Sequence, residues 1–295
     1  MSDNVCTAAA HPNLALIKYW GQSDPTLMLP ANTSISMNLS GATTVTRVAF
    51  DATLQADRIT INNLPAAESA RLRVSAHLDR VRALAGIALR ADVSSQNDFP
   101  AAAGIASSAS GFAALSLAAS RAAGLELDAR SLSVLARKGS GSACRSVPDG
   151  FVEWRAAQDD EGSYAVSIAP CEHWDLRVVT LYFGEEAKSI SSLQGHRAAL
   201  SSPYYAARLS ALPATLEGVR QALADRDFCA LGIAVEREAV AFHAIAMTSL
   251  IADQPWLSGI YYWSPETLTV IQAVQRWRTE GVPVYFTLDA GPSVH

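Results

Sequence analysis

The segment Ala101-Ala-Ala-Gly-Ile-Ala-Ser-Ser-Ala-Ser-Gly111 holds no side chain larger than one isoleucine, and an Ala/Leu-rich run over 112–123 follows it directly. Side chains this small leave the backbone bare, so a ligand can approach the main chain itself. The composition predicts a helix over 112–123 closed by Gly124, since Ala and Leu favour helix and glycine ends it. A helix start carries unpaired N–H groups and the positive end of the helix dipole, an arrangement that holds phosphate. Ala103, Gly104, Ile105 and Ala106 would bring main-chain groups to such an anion. Ser107, Ser108 and Ser110 would add hydroxyls, for phosphate oxygens or a magnesium ion. The Gly-Lys-Ser/Thr ending of a Walker loop is absent, so this is a different kind of phosphate loop. A second reading stays open on composition alone: a flexible loop whose serines cap a helix.

Around the loop, strand patterns lead and helix patterns follow. Segments 33–39 and 43–50 flank Ser40-Gly41 and predict a hairpin. Residues 57–62 read as a short strand before a turn at Pro65, 67–84 as a helix stopped at Gly86, and 93–96 as a strand. A helix is expected over 132–138, and strand character returns over 151–182, at 151–154 and again at 176–183. Helices dominate from about 190 to 280, with Pro203, Pro213 and Pro265 as starts or breaks, and 284–288 is a last β-rich run. The order implies an α+β protein with a strand-rich front lobe, 1–172, interlocked with a helix-rich back lobe, 173–295.

Of the 295 residues, 49% are apolar and 17% charged, enough for two packed lobes or one large α/β unit. The net charge of −5 without a basic stripe argues against nucleic-acid binding, and requires any phosphate site to gather its cations locally. Cys6, Cys144, Cys171 and Cys229 are scattered, with neither zinc spacing nor a disulfide framework. No apolar run reaches the roughly 20 residues that span a bilayer, and the start of the chain lacks signal-peptide character. A cytoplasmic protein is expected.

Three further segments carry chemistry. Gly139-Ser-Gly-Ser-Ala-Cys-Arg-Ser146 combines glycines, hydroxyls and an arginine, so Arg145 could clamp a carboxylate or phosphate with two parallel bonds. Its plainer reading is a helix end at Gly139 with a surface arginine. In Asn13-Leu-Ala-Leu-Ile-Lys-Tyr-Trp-Gly21, Lys18 lies among apolar and aromatic residues, either for chemistry or snorkelling from a strand edge. In Thr287-Leu-Asp-Ala-Gly-Pro292, Asp289 ends a β-rich run where functional carboxylates sit, or simply starts a turn.

Taken together these segments closely resemble the diphosphomevalonate decarboxylase family of the GHMP kinase superfamily. Six pieces besides the small-residue loop carry the resemblance: Asn13 through Gly21; Leu29-Pro-Ala-Asn-Thr-Ser-Ile-Ser36; Asn97-Asp-Phe-Pro100, which leads into the loop; Gly139 through Ser146 with Gly150-Phe-Val-Glu-Trp154; Lys188-Ser-Ile-Ser-Ser192; and Asp289-Ala-Gly-Pro292. The resemblance covers nearly the whole chain. It implies a GHMP fold with ATP bound between the lobes by the loop, magnesium with the ATP, a phosphorylated mevalonate as substrate, and a homodimer.

It also implies a mechanism, in which ATP phosphorylates a tertiary alcohol and loss of that phosphate drives decarboxylation. Asp289 would orient or deprotonate the alcohol, and Lys18 would stabilise Asp289 and the moving phosphoryl charge. Arg145 and Asn13 would hold the substrate carboxylate beside the reacting carbon. Ser140, Gly141 and Ser142 would contact the 5-phosphate chain, Ser107 and Ser108 the ATP phosphates, and Tyr19, Trp20 and Ser192 would line the pocket.

The chain departs from the family pattern in three places. The family motif reads Lys-Tyr-Trp-Gly-Lys, but here Gln22 fills the last place. A 5-monophosphate carries roughly −2 and a diphosphate roughly −3 near neutral pH. Loss of a cation therefore suits mevalonate 5-phosphate; the other reading leaves Gln22 neutral to selectivity. Leu193 and His196 stand where Thr and Met are usual, and His196 is superfluous as a base beside Asp289. The sequence stops at His295, where the family continues into strand, so a truncated end is an expectation. Two rivals are a mevalonate kinase without decarboxylation and a non-catalytic sensor of phosphorylated ligands. Retention of Lys18, Asp289 and Arg145 argues against both.

Overall fold

The computed structural model describes residues 4–100, 107–183 and 190–295. The expected main-chain contacts of Ala103, Gly104, Ile105 and Ala106, and the Lys188-Ser189 pair, lie outside the described residues.

In chain order the front part contains β1 (Val5–Ala10), β2 (Asn13–Ile17), β3 (Gln22–Asp24), β4 (Leu29–Pro30), β5 (Ser34–Asn38), β6 (Thr44–Asp51), β7 (Arg58–Ile61), β8 (Leu64–Pro65), α1 (Glu68–Ala85) and β9 (Arg90–Asn97). Then come α2 (Ser107–Ala122), α3 (Ala129–Gly139), a 3-10 turn over Gly141–Ser146, β10 (Phe151–Trp154) and β11 (Ala165–Ala169). The back part is built on α4 (Ser192–Ala198), α5 (Tyr205–Asp225), α6 (Phe228–Met247) and α7 (Pro265–Thr279). None of the described helices is long and apolar enough to cross a membrane.

One sheet runs β1-β6-β9-β7-β8. Strand β6 alternates buried and less buried residues, so Thr44, Thr46, Val48 and Phe50 face inward. Helix α2 lies on that face with Ala109, Ala113, Ala114, Ala118 and Ala119 buried, and methyl-sized side chains let its backbone come close to the sheet. The small-residue composition thus serves packing along the helix.

In the second sheet, β11-β10-β5-β2, strands β2, β5 and β10 are buried on both faces while the edge strand β11 is partly exposed. Leu14, Met37, Ile35 and Phe151 point one way, into a core with Leu212, Leu216, Val219, Leu231 and Val235 of α5 and α6. On the other face lie Asn13, Ser34, Ser36 and Trp154, polar or aromatic residues equally withdrawn from solvent. A buried polar face requires partners.

Several expectations need correction. Segments 33–39 and 43–50 form no hairpin, because β5 pairs with β2 and β10 while β6 pairs with β1 and β9. The Ser40-Gly41 turn carries the chain from one sheet to the other; long-range partners outweighed local turn chemistry. Segment 176–183 is no strand beyond one bridge, Leu181 to Val294; Leu176 and Val178 instead pack on the core beneath α5 and α6. The turn expected at Pro65 falls at Asn62 and Asn63, both at positive φ, and Pro65 belongs to β8. Pro213 lies inside α5 rather than breaking it. Helix α2 begins at Ser107, five residues before the expected start. The run 284–288 pairs only near its end, where Thr287 and His295 exchange main-chain bonds of 2.9 and 3.0 Å. This holds Asp289 in a tight turn. The remaining elements fall where the pattern put them, including α1 with Gly86 in left-handed geometry at its end.

Candidate active site

A bulge in β2 sets the first functional side chain. Ala15 pairs with Ser36, but the next pair is Ile17 with Ile35, so Leu16 is extra. Without the bulge, with Leu16 opposite Ile35, strict alternation would turn Lys18 toward the apolar core. With it, Leu16 and Ile17 both enter the core, and Lys18 emerges on the polar face. Its ammonium donates to Asp289 Oδ1 at 2.7 Å and to the Ala15 carbonyl at 2.6 Å. Burial pushes Lys18 below its ordinary value of 10.5, while the Asp289 carboxylate acts in the opposite direction. Asp289 itself remains partly open to solvent.

Arg145 sits in the 3-10 turn, 3% exposed, across the polar face of β5. Its Nε donates to Asn13 Oδ1 and Ser36 Oγ, both at 3.2 Å, and its Nη1 donates to Ser34 Oγ at 2.7 Å. Its guanidinium also lies 5.8 Å from the Trp154 ring centre. All three hydrogen-bond partners are neutral, and among the described residues no carboxylate pairs with it. Burial opposes the Arg145 charge, with the nearby Cys144 and then the Asp289 charge favouring it. A buried guanidinium so arranged is a receptor for an anion. Asn13 is fixed in turn by bonds to Ser142 O at 3.2 Å and Ser146 Oγ at 2.8 Å.

The start of the same turn meets the start of α2. Ser108 Oγ and Ser140 Oγ are 3.3 Å apart, so the two segments read separately as anion cradles adjoin each other. Gly141 packs on Tyr19 so tightly that a Cβ there would lie 2.8 Å from the ring. The Tyr19 hydroxyl accepts from Gln22 Nε2 at 2.8 Å, while Gln22 Oε1 is buried without a hydrogen-bond partner. Ser107 is half-buried at the first position of α2. Ser110 is not brought to this group; its hydroxyl contacts Thr44 Oγ1 at 2.6 Å in the seam between α2 and β6.

Trp20 is buried among Phe242 and Tyr262 on the far side of the turn, so it backs the site. Ser192 is exposed at the first residue of α4, and Ser191 is the residue that caps that helix. His196 stacks on Tyr19, with ring centres 4.1 Å apart, and accepts the Gly21 N–H at 3.0 Å. Burial, reinforced by the Arg145 and Arg208 charges, pushes its pKa down to about 3. It is a neutral wall.

Sequence reasoning assigned no role to Ser34 and Ser36, which hold Arg145, nor to Asn32, Arg208 and Glu238, which surround Lys18. The serines were legible in principle: Ser34-Ile-Ser36 in a short strand alternates a hydroxyl with a core residue. Glu238 and Arg208, 220 and 190 residues from Lys18, left no such trace.

The model of the diphosphomevalonate decarboxylase-like N-terminal domain matches residues 10–165, and that of the mevalonate 5-diphosphate decarboxylase C-terminal domain matches 178–294. A diphosphomevalonate decarboxylase of Candida albicans is 34% identical over 97% of this chain and 82% of its own length. A phosphomevalonate decarboxylase of Haloferax volcanii is also 34% identical, over 98% of this chain and 86% of its own. A solved structure described as MDDEF in complex with MVAPP, AMPPCP and magnesium superposes with a TM-score of 0.90, at 38% identity, covering 98% of this chain and 87% of that one.

Proposed function

The chain belongs to the diphosphomevalonate decarboxylase family, and on that premise we propose that it decarboxylates a 5-phosphorylated mevalonate at the expense of ATP. The products are the isopentenyl phosphate or diphosphate, ADP, phosphate and CO2. The observation that carries the reading is the pairing of an uncompensated buried guanidinium with a Lys–Asp pair in one polar pocket. The first receives the substrate carboxylate, and the second acts on its tertiary alcohol.

Asp289 takes the proton of the 3-hydroxyl as its oxygen attacks the γ-phosphorus and ADP leaves. Lys18, 2.7 Å from Asp289, keeps that carboxylate ionised and stabilises charge on the transferring group. The C3–O bond then breaks with phosphate as leaving group. The electron pair of the bond between C2 and the carboxylate carbon becomes the C2–C3 double bond, and CO2 departs. Arg145 and Asn13 keep the carboxylate aligned for that step. Ser140, Gly141, Ser142 and Gln22 face the 5-phosphate end, with Tyr19 as its wall.

The start of α2, with Ser107 and Ser108, suits the ATP phosphates. Among the described residues no cluster of three His, Cys, Asp or Glu could hold a metal. Magnesium would come with the nucleotide, with the Ser107 hydroxyl as a protein ligand, and would neutralise phosphate charge when bound. Two lobes, 1–172 and 173–295, and a homodimeric assembly complete the reading.

Between the two substrates we take mevalonate 5-phosphate, because Gln22 places a neutral amide where the family pattern has a lysine. The test is to give the purified protein magnesium-ATP with each substrate separately and follow ADP and CO2. CO2 from the monophosphate alone is expected. CO2 from the diphosphate alone would remove the role given to Gln22, and ADP without CO2 would make the protein a kinase.

A further inference from the structure

Lys18 stands one residue past the end of β2, so its own N–H and C=O have left the sheet ladder. Both groups are buried, and both are taken up by side chains from distant parts of the chain. Glu238 Oε1, on α6, accepts the Lys18 N–H at 3.2 Å. The Lys18 carbonyl accepts from Arg208 Nη2, on α5, at 2.9 Å and from Asn32 Nδ2 at 3.0 Å. Arg208 and Glu238 are themselves an ion pair, with side chains 4% exposed. Asn32 donates further to the Thr33 carbonyl at 2.8 Å, which fixes its amide.

We propose that Glu238, Arg208 and Asn32 are positioning residues that clamp the main chain of Lys18 and so aim its ammonium at Asp289. The inference rests on the reading of Lys18 as catalytic. Two physical arguments favour aim over mere stability. A buried ion pair is seldom a better source of stability than apolar residues of the same volume, so this one does something apolar packing would not. Lys18 lies beyond the last pair of β2, Ile17 with Ile35, so its main chain is not held by strand pairing, and a lysine stem has four rotatable bonds. Without an anchor at the backbone, the ammonium could reach Asp289 only at a cost in order. The Glu238 carboxylate also acts on the Lys18 charge in the same sense as Asp289.

The clamp joins the helical back part to the strand that carries Lys18. Any shift of α5 against α6 would therefore be felt at the ammonium.

The test uses Arg208→Met/Glu238→Leu, which replaces the pair with apolar side chains and leaves no charge stranded, and Asn32→Leu, which removes the Asn32 bonds to the Lys18 and Thr33 carbonyls and its contact with Arg208 while leaving the ion pair itself in place. Both are compared in the wild-type and Lys18→Met backgrounds, with melting temperature, kcat and both KM values measured on whichever 5-phosphorylated mevalonate the enzyme accepts. In the wild-type background kcat is expected to fall about 30-fold in the double variant and about fivefold in Asn32→Leu, with KM for each substrate within about threefold, the signature of lost alignment. In the Lys18→Met background neither change should cost a further factor, since residues acting through one group are not additive. A folded double variant with kcat within twofold of wild type, or equal losses in both backgrounds, would overturn the clamp. If the double variant does not fold, Asn32→Leu decides alone by the same criteria. Wild-type kcat in Lys18→Met by itself would instead overturn the reading of Lys18, and the clamp with it.

Discussion

Two cations are buried near enough for the Arg145 charge to act on Lys18, and they are held in opposite ways. Arg145 is surrounded by Asn13, Ser34 and Ser36, oxygens that orient a guanidinium without cancelling its charge. Lys18 faces the Asp289 carboxylate directly. The first arrangement costs folding energy and stores an attraction for an incoming anion. The second is internally balanced, and in the function proposed above it holds a carboxylate in place beside a hydroxyl. On that reading one end of the site binds, and the other reacts.

The largest expected effect breaks the reacting end. Asp289→Asn keeps the shape of the side chain and removes its ability to take a proton. It should lower kcat by about 10²–10⁴, the usual range for a positioned general base, measured by coupled ADP release. A loss below tenfold would mean that Asp289 orients the hydroxyl and takes no proton.

Next is a change at the binding end. Arg145→Met should lower kcat/KM by about 10- to 100-fold, the worth of a charged hydrogen bond. If the guanidinium is uncompensated before substrate arrives, the variant should melt no lower than wild type. Loss of activity with a steep fall in melting temperature would show that Arg145 is a structural strut, and the contrast would collapse. The same measurements on Lys18→Met sharpen the point, since that change removes the cation that Asp289 faces.

A smaller change tests the phosphate end. Gln22→Lys should raise the ratio of diphosphate to monophosphate turnover about tenfold, the equivalent of one added charged hydrogen bond. An unchanged ratio would place selectivity elsewhere.

How the two ends differ also explains what the sequence discloses. Lys18, Arg145 and Asp289 each lie in a short motif of unusual composition, which marks them as candidates, and the family resemblance of those motifs taken together gives them their expected roles. Their partners are legible only where they share a local pattern, as Ser34 and Ser36 do within β5. Arg208 and Glu238 sit in ordinary helical sequence, and nothing local marks a pair that closes over a strand some 200 positions away. The expected hairpin fails for the same reason, since β5 and β6 take their partners from different sheets. Nor can sequence show that one extra residue in β2 decides which face Lys18 occupies, because the bulge exists only relative to β5.

The smallest effect concerns His196, which lies against Tyr19 within reach of the Arg145 field. Its pKa of about 3 against an ordinary 6.5 means that the folded protein binds fewer protons there than the unfolded chain. Its neutral form therefore stabilises the fold fully above pH 6.5, and that contribution is lost as pH falls toward 3. His77 and His243 are displaced downward to similar values and His295 to about 4, so each adds to the same acid sensitivity. His196→Asn keeps an acceptor for the Gly21 N–H and removes one titrating group. Its melting temperature should fall less steeply than wild type between pH 6.5 and 4, with kcat at neutral pH changed less than about threefold, a change too small for the loss of a general base. A far larger loss of kcat, together with disappearance of the acid limb of the pH–rate profile, would make His196 a proton carrier. The reacting end would then hold a second base beside Asp289, and the division between a binding cation and a reacting pair would have to be redrawn around Tyr19.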